Sequence, residues 1–412
     1  MYLKELSEAE FGRFVDFHNT SSIYQTVPYA KTMEKQGFEY KLLGMIDENR
    51  IVAASLIFIK KIGNFKHAYA PRGLLVDYKD LDLLKTFTTE IKRYLGKRSV
   101  VNLKISPIIV KSIMNSKGDV IGINPDGDMI LENLKSCEYT HLGYTNYFEG
   151  LKPRFNAVLS MKDGYVNTFN RIRKEFRSKI RNAEKYGIRV YKGNQDDLNY
   201  LNFQTEKKYP RGLNYFQSSY YYFGKENKID FYYAKLDSKA YLETVQKTYF
   251  ETETEWNRIN DEVINIRTKN SKRLLNQKIN MDKVMNVQKN RLIEATNILR
   301  DNPDGIVLAS VLVVRQKDSV TILMDGFDPK YRYLNAKHLI LWKIIEKYSN
   351  AGYRYLRLGG VTNIKIKDNK YKGLNDFKLN FGADVFEYFG DFEVVTNPTL
   401  YFMYNKFSKE KK

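Results

Sequence analysis

The sequence predicts a mixed α/β protein made of a duplicated unit, with a long helical hairpin inserted in the second copy. The first sign is a nine-residue, almost wholly apolar run that occurs twice, at Ile51–Ile59 and Ile306–Val314. Runs of that length suit strands buried on both faces. Each is followed by a turn, a second strand, a helix and a third strand, over 52 residues (51 to 103) and 50 residues (306 to 356). Such self-similarity marks a repeated architectural unit. The third sign is the stretch Leu236–Leu299, whose apolar residues step by threes and fours without the alternation of a strand.

In chain order, Leu6–Phe17 reads as a helix capped by Ser7, with Glu10 completing a capping box. Pro28 opens a second helix carrying Tyr29 and Lys31. Strand Ile51–Lys60 turns at Gly63-Asn64 into a second strand ending at Ala-Pro-Arg72-Gly. A helix over Asp80–Leu95 and a strand over Val100–Ile105 follow. In the second copy the strands are Ile306–Val314, Val320–Gly326 and Tyr353–Leu358, with a turn at Gln316–Asp318 and a helix at Asn335–Ser349. Within the insert, Leu242, Val245, Tyr249, Trp256, Ile259, Val263 and Ile266 form one stripe, and Leu274, Met281, Met285, Leu292, Ala295 and Leu299 another. Joined by a polar turn near Asn270, they predict an antiparallel coiled-coil arm with strands of helix roughly 40 Å long. The expected division is 1–145, then 146–237 with 300–412, with 238–299 as the arm.

Composition narrows the function classes. Lys and Arg outnumber Asp and Glu by 68 to 48, a formal charge of +20 over 412 residues. That sign favours a polyanionic partner such as RNA, or an anionic membrane face, over acidic proteins. The one cysteine, Cys137, excludes an internal disulfide framework, and His18, His67, His141 and His338 are scattered without ligand spacing. The opening residues lack the apolar core of a signal peptide and the apolar runs are too short to span a bilayer, so a cytoplasmic protein is expected. Between Arg171 and Arg189 lie eight basic residues against Glu175 and Glu184. At helical spacing Arg173, Arg177 and Arg181 share a face, where like charges disfavour an isolated helix. Arg171, Lys174 and Lys179 extend the row, which suits phosphate contacts without sequence reading and equally fits a solvated helix face.

The stretch Leu356–Phe392 carries most of the site chemistry. A strand ends at a Gly359-Gly360 break, where missing side chains allow backbone to approach a ligand, and a polar loop returns to Phe377-Lys378. An aromatic strand then ends at Gly390-Asp391-Phe392. The order LGGV, G-x-x-x-FK-x-x-FG, EY-x-GDF resembles the C-terminal signature of the Fem family, including its MurM and MurN types. These non-ribosomal peptidyltransferases build the interpeptide bridges of peptidoglycan.

That resemblance implies two acetyltransferase-like (GNAT-type) domains side by side, and an activity that moves an aminoacyl group from tRNA to the lysine branch of a cell-wall precursor. Aminoacyl-tRNA would be the co-substrate, with no other cofactor and no metal. The acceptor would be lipid II or UDP-MurNAc-pentapeptide, the residue added alanine, serine or glycine, and other bridge-forming transferases would be partners. A lipid-linked acceptor would bring peripheral contact with the inner membrane leaflet. Gln25, Tyr29 and Lys31 match a family pattern whose lysine holds phosphates, although Lys31 also reads as an exposed helix lysine. Arg72 and Arg154 sit in APRG and PR motifs. Arg211 with Tyr215 stands for an arginine–tyrosine pair that contacts the precursor, although aligning on the tyrosine cluster Tyr220–Tyr222 instead puts Phe216 at the arginine's place. The basic helix and the arm would meet tRNA. Two positions depart from the family: Ser106-Pro107 replaces an Asp-Pro, and Met324 stands where an aromatic hydroxyl is expected.

Aminoacyl transfer is attack by an amine on an activated ester, and it needs alignment, a proton acceptor and oxyanion stabilisation. Lys378 is the expected cation, and Glu387 and Asp391 either orient the amine or brace the last strand. Two rivals stay in view. A CoA-dependent acyltransferase would need a Q/R-x-x-G-x-G/A pyrophosphate turn, which neither copy has. A non-enzymatic RNA-binding scaffold explains the charge but leaves the LGGV-to-GDF constellation without a purpose.

Overall fold

The structure, a computed structural model, describes the chain except residues 21, 207–210, 266–270 and 410–412. Its strands form two sheets. The first runs β1 (Tyr2–Glu5), β2 (Glu39–Asp47), β3 (Arg50–Ile62), β4 (Phe65–Ala70), β5 (Val100–Ile105), β16 (Phe392–Val395), β8 (Thr140–His141). The second runs β10 (Ile188–Gly193), β11 (Ile229–Leu236), β12 (Ile306–Gln316), β13 (Ser319–Phe327), β14 (Tyr355–Val361), β9 (Phe155–Ser160), β15 (Asp384–Tyr388), β6 (Val110–Met114), β7 (Val120–Ile123).

The duplication is visible in the pairing. In each copy two antiparallel strands, β3–β4 and β12–β13, are followed by a helix and a strand parallel to the second, β4–β5 and β13–β14. The two central strands begin alike, IVAAS and IVLAS, and their serines Ser55 and Ser310 are both buried. Side chains of β3 alternate between cores: Ala53, Ile57 and Ile59 enter one, Ala54, Leu56 and Phe58 the other. This two-sided burial is what the continuous apolar run demands. The core under Leu56 and Phe58 also contains Phe231, Leu312, Val314 and Met324 of the second sheet, so the two sheets share it.

The sheets do not divide where the sequence suggested. β16, from the end of the chain, completes the first sheet against β5, and β6 and β7, from before residue 145, extend the second. These exchanges pass through Ser106–Ile109 and Tyr388–Asp391, so the two crossing segments are where the sheets are tied together.

The helical hairpin is present as Ser238–Ile264 and Ser271–Asp301. At 1.5 Å per residue its arms are roughly 40 and 46 Å long. Its base is anchored in a third core, on the second sheet with Leu236 and Leu308, by Tyr241, Val245, Ala295 and Ile298, and Trp256 Nε1 donates to Asp282 Oδ1 across the pair at 2.6 Å. The expected turn residue Asn270 and the stripe position Ile266 lie outside the described residues. The capping box at Ser7 and Glu10 is formed, on a helix over Glu8–Phe17.

Candidate active site

The glycine pair does not break the strand. Gly359 and Gly360 lie inside β14, where the register against β9 slips between Arg357 and Gly359, making a bulge. Gly359 has φ +83°, a conformation that side-chain-bearing residues rarely adopt, and a Cβ there would lie 3.6 Å from Lys378 Nζ. A Cβ on Gly360 would meet Pro153 Cγ at 2.6 Å. Phe377 and Lys378 stand on a short helix, Lys372–Leu379, rather than on a returning loop. Asn375 pins that helix to β14: its Oδ1 accepts from the Thr362 amide at 3.1 Å and its Nδ2 donates to Thr362 Oγ1 at 2.9 Å. Lys378 Nζ therefore reaches back to donate to the Gly360 carbonyl at 2.7 Å. Burial lowers its pKa to about 8, with Lys337 adding to the effect and Asp325 opposing it.

A second group of charges gathers at the strand-exchange segments. Arg154, 4% exposed, donates from Nε to the Thr145 carbonyl at 2.6 Å and pairs through Nη1 with Glu387. Glu387 also accepts from Ser112 Oγ at 2.6 Å. Burial works to raise its pKa, but Ser112, Lys111 and Arg154 outweigh burial and hold it below the ordinary value. Asp391 accepts from Ser106 Oγ at 2.6 Å and from the Leu151 amide at 2.7 Å. Thus a carboxylate stands beside residue 106 although the sequence has no aspartate there. Arg72, with φ +56°, donates to the Pro153 carbonyl at 2.8 Å and lies over the Tyr388 ring at 4.7 Å.

Lys152 was not singled out from the sequence, yet it is central to this group. Its Nζ lies 3.5 Å from the centre of the Tyr24 ring and 5.8 Å from that of Tyr29. Burial pushes its pKa well below the ordinary value, and the charges of Arg72 and Arg211 push the same way, against Asp391. Arg211 Nη1 donates to Tyr215 Oη at 2.9 Å, so the predicted pair is formed, with Tyr215 buried. Lys152 thus feels the charges of both Arg72 and Arg211 against one carboxylate, Asp391, a balance that favours an anion. A cleft between the sheets, lined by Tyr24, Arg72, Asn156, Arg357, Gly359 and Tyr388, runs from Arg72 to the β14 bulge, while Lys378 lines a separate small pocket with Asp325, Lys337 and Phe377.

The profile of the FemAB family matches residues 6–409, almost the entire sequence. The chain belongs to the FemAB family. It is 24% identical over 429 residues to "Aminoacyltransferase FemA" of Staphylococcus epidermidis, covering all of both proteins. Against the Staphylococcus aureus (strain bovine RF122) protein of the same name the identity is 22% over 424 residues, with 100% of this chain and 99% of the relative covered. Among solved structures it resembles that described as "Crystal structure of FemX", with TM-score 0.74, 20% identity and coverage of 98% and 99%.

Other predicted residues of this FemAB protein lie apart from the cleft. Lys31, on the helix Val27–Glu34, pairs with Glu8 at 2.7 Å. Gln25 is wholly buried and structural: it donates to the Leu56 and Pro71 carbonyls and accepts from the Leu56 amide, fixing the loop before Arg72. The basic row forms the helix Lys174–Lys185, with Phe176, Ile180 and Ala183 buried and Arg173, Lys174 and Arg181 exposed. Arg177 and Arg181 flank the Phe169 ring, Lys179 pairs with Glu175, and Arg171 donates to the Ser160 carbonyl. The Arg173 amide donates to the Asn380 carbonyl at 3.0 Å, so this helix starts where the Lys378 helix stops. A larger groove, of about 1000 Å³ beside Phe14, His18 and Tyr78, contains none of the predicted residues.

Proposed function

We propose that this FemAB protein transfers an aminoacyl group from aminoacyl-tRNA to the lysine side chain of a peptidoglycan precursor. The observation that carries the reading is the Lys378 amine held against the β14 bulge, whose Gly359 lines the same cleft as Arg72 and Tyr24. The name aminoacyltransferase borne by full-length relatives supports it.

In this reading the acceptor amine attacks the ester carbon, a C–N bond forms and the ester C–O bond breaks. The amine's proton passes to solvent water, from which Lys378 regains the proton it gives to the ribose oxygen. The protonated Lys378 stabilises the oxyanion or the departing ribose oxygen. Its low pKa leaves it ready to return a proton to that oxygen. The cationic end of the cleft takes the acceptor's phosphates, charge-assisted contacts that fix its orientation. Glu387 and Asp391 hold Arg154 and the Leu151 loop in place. The exposed basic helix, adjoining the Lys378 helix, receives the acceptor arm of tRNA through its phosphates.

The test is mass spectrometry of unbranched and singly branched precursor, lipid-linked and nucleotide-linked, after incubation with seryl-, alanyl- or glycyl-tRNA. A gain of one residue mass that disappears in Lys378→Ala is expected. No gain in any pairing, with tRNA still bound tightly, would replace transfer by an RNA-binding role.

A further inference from the structure

The helix Pro398–Lys409 turns an apolar face outward. Inward, Tyr404 meets the rings of Phe65 and His67 at 5.6 and 4.7 Å, and Phe407 meets Phe65 at 6.5 Å. Outward, Phe402 is 72% exposed and Met403 45%, while Phe407 keeps 54% of its surface. Thr399, Phe402, Met403 and Lys406 follow the spacing of one helical face, and all four are exposed. The apolar surface continues on the β3–β4 hairpin, where Ile62, 59% exposed, pairs with Phe65 and so shares its sheet face. Exposed lysines flank the patch on its own face, Lys60 two residues before Ile62 on the hairpin and Lys406 on the helix, while the paired Lys61 and Lys66 point to the hairpin's other face. Neither 60–66 nor 398–407 contains an acidic residue.

Exposed aromatic and aliphatic side chains flanked by lysines fit a bilayer interface, where rings enter the headgroup boundary and ammonium groups reach anionic phosphates. RNA would use the lysines but would leave Ile62, Phe402 and Met403 in water. A second copy would bring the same lysines together, without carboxylates to meet them. We propose that the face formed by Ile62, Phe402, Met403 and Phe407, with Lys60 and Lys406, docks the protein peripherally on an anionic membrane surface. The strand β4 starts at this face and leads to Arg72, so the docking face and the cleft lie at opposite ends of one strand, roughly 20 Å apart. This inference goes beyond the transfer reading and does not need it.

Co-sedimentation of the full chain with vesicles tests it. The wild type should pellet with vesicles containing about one-third phosphatidylglycerol and stay in solution with phosphatidylcholine alone. Phe402→Ser with Met403→Ser should weaken partitioning at least about tenfold, and Lys60→Glu with Lys406→Glu should act in the same direction. Both double variants change exposed side chains, so their melting curves and their transfer to a nucleotide-linked acceptor should match the wild type. Equal partitioning of wild type and variants, or binding to both kinds of vesicle alike, overturns the proposal. So does a wild-type dimer dispersed by the Phe402/Met403 change, which assigns the face to a second copy, or loss of tRNA binding in that variant, which assigns it to RNA. Failure of the wild type to transfer any residue would sink the proposed activity and leave the vesicle result standing.

Discussion

Lys378 Nζ donates at 2.7 Å to the carbonyl of Gly360, the second glycine of a bulge inside β14, and no side chain at Gly359 stands in its way. A lysine so placed has a cation's reach and, with its pKa lowered to about 8, a proton that leaves near working pH.

The first prediction concerns pH. If the cation serves the transition state, transfer should decline as pH rises through about 8, where Lys378 becomes neutral. Deprotonation of the acceptor amine acts oppositely. The decline near 8 therefore shows with the α-amine of a singly branched acceptor, which ionises at about 7.7–8.0, and that profile is bell-shaped. A lysine side-chain acceptor, ionising at about 10.4, moves the decline above that value. Lys378→Arg keeps a charge at all these pH values. It should retain part of the activity and lose the alkaline limb, whereas Lys378→Ala should lose about 10²–10³ in kcat. Single-turnover rates from pH 6 to 10 provide the check, and an unchanged alkaline limb in the arginine variant would assign that limb to another group.

The second concerns Arg154 and Glu387, a buried pair whose partners are all internal to the protein. Removing one member strands the other, at about 3–5 kcal/mol. Arg154→Met and Glu387→Gln should each cost that order, and the double variant clearly less than the sum. The pKa of Glu387 lies below its ordinary 4.5 in the folded state. Its contribution is therefore complete above about pH 4.5 and fades as pH falls through the lower, folded value. Glu387→Gln should flatten the acid side of the stability curve in urea titrations. Loss of kcat in a fully folded Glu387→Gln protein would instead give this carboxylate a direct part in the chemistry.

Much of this arrangement was legible because local pattern and tertiary demand agree. The two nine-residue apolar runs could only be buried strands, and their recurrence fixed the duplication; the stripes of the arm are governed by its own period. Four features were not legible. The exchange of β16 and β6–β7 between sheets depends on which edges are free once both sheets exist, and no local signal encodes that. The glycine pair read as a break, yet β9 supplies a partner strand and the bulge absorbs the irregularity. Glu387 and Asp391 read equally as chemistry or as bracing, because their partners Arg154, Ser106 and Leu151 are more than 200 residues away in sequence. Lys152 escaped notice because only folding brings Tyr24, Arg72 and Arg211 around an otherwise ordinary surface-type residue.

The third prediction concerns that lysine. Lys152 sits over Tyr24 with two guanidinium groups raising the local potential, and burial holds its pKa well below the ordinary 10.5. A lysine whose folded pKa is depressed weakens the fold at low pH, and the penalty disappears once the unfolded chain's lysine also loses its proton, near 10.5. Lys152→Met should accordingly stabilise the protein at neutral pH, on the order of 1 kcal/mol, and the gain should vanish toward pH 10.5. The same variant should raise KM for the precursor about tenfold, since it removes a contact present in ground and transition states alike, with kcat little changed. An arriving phosphate would also raise the pKa of Lys152, so precursor binding should take up protons. Calorimetry in buffers of different ionisation enthalpy would measure that uptake, and it should be lost in Lys152→Met. A more stable variant with unaltered KM and unaltered proton uptake would leave Lys152 as a packing residue, and the cationic end of the cleft to Arg72 and Arg211.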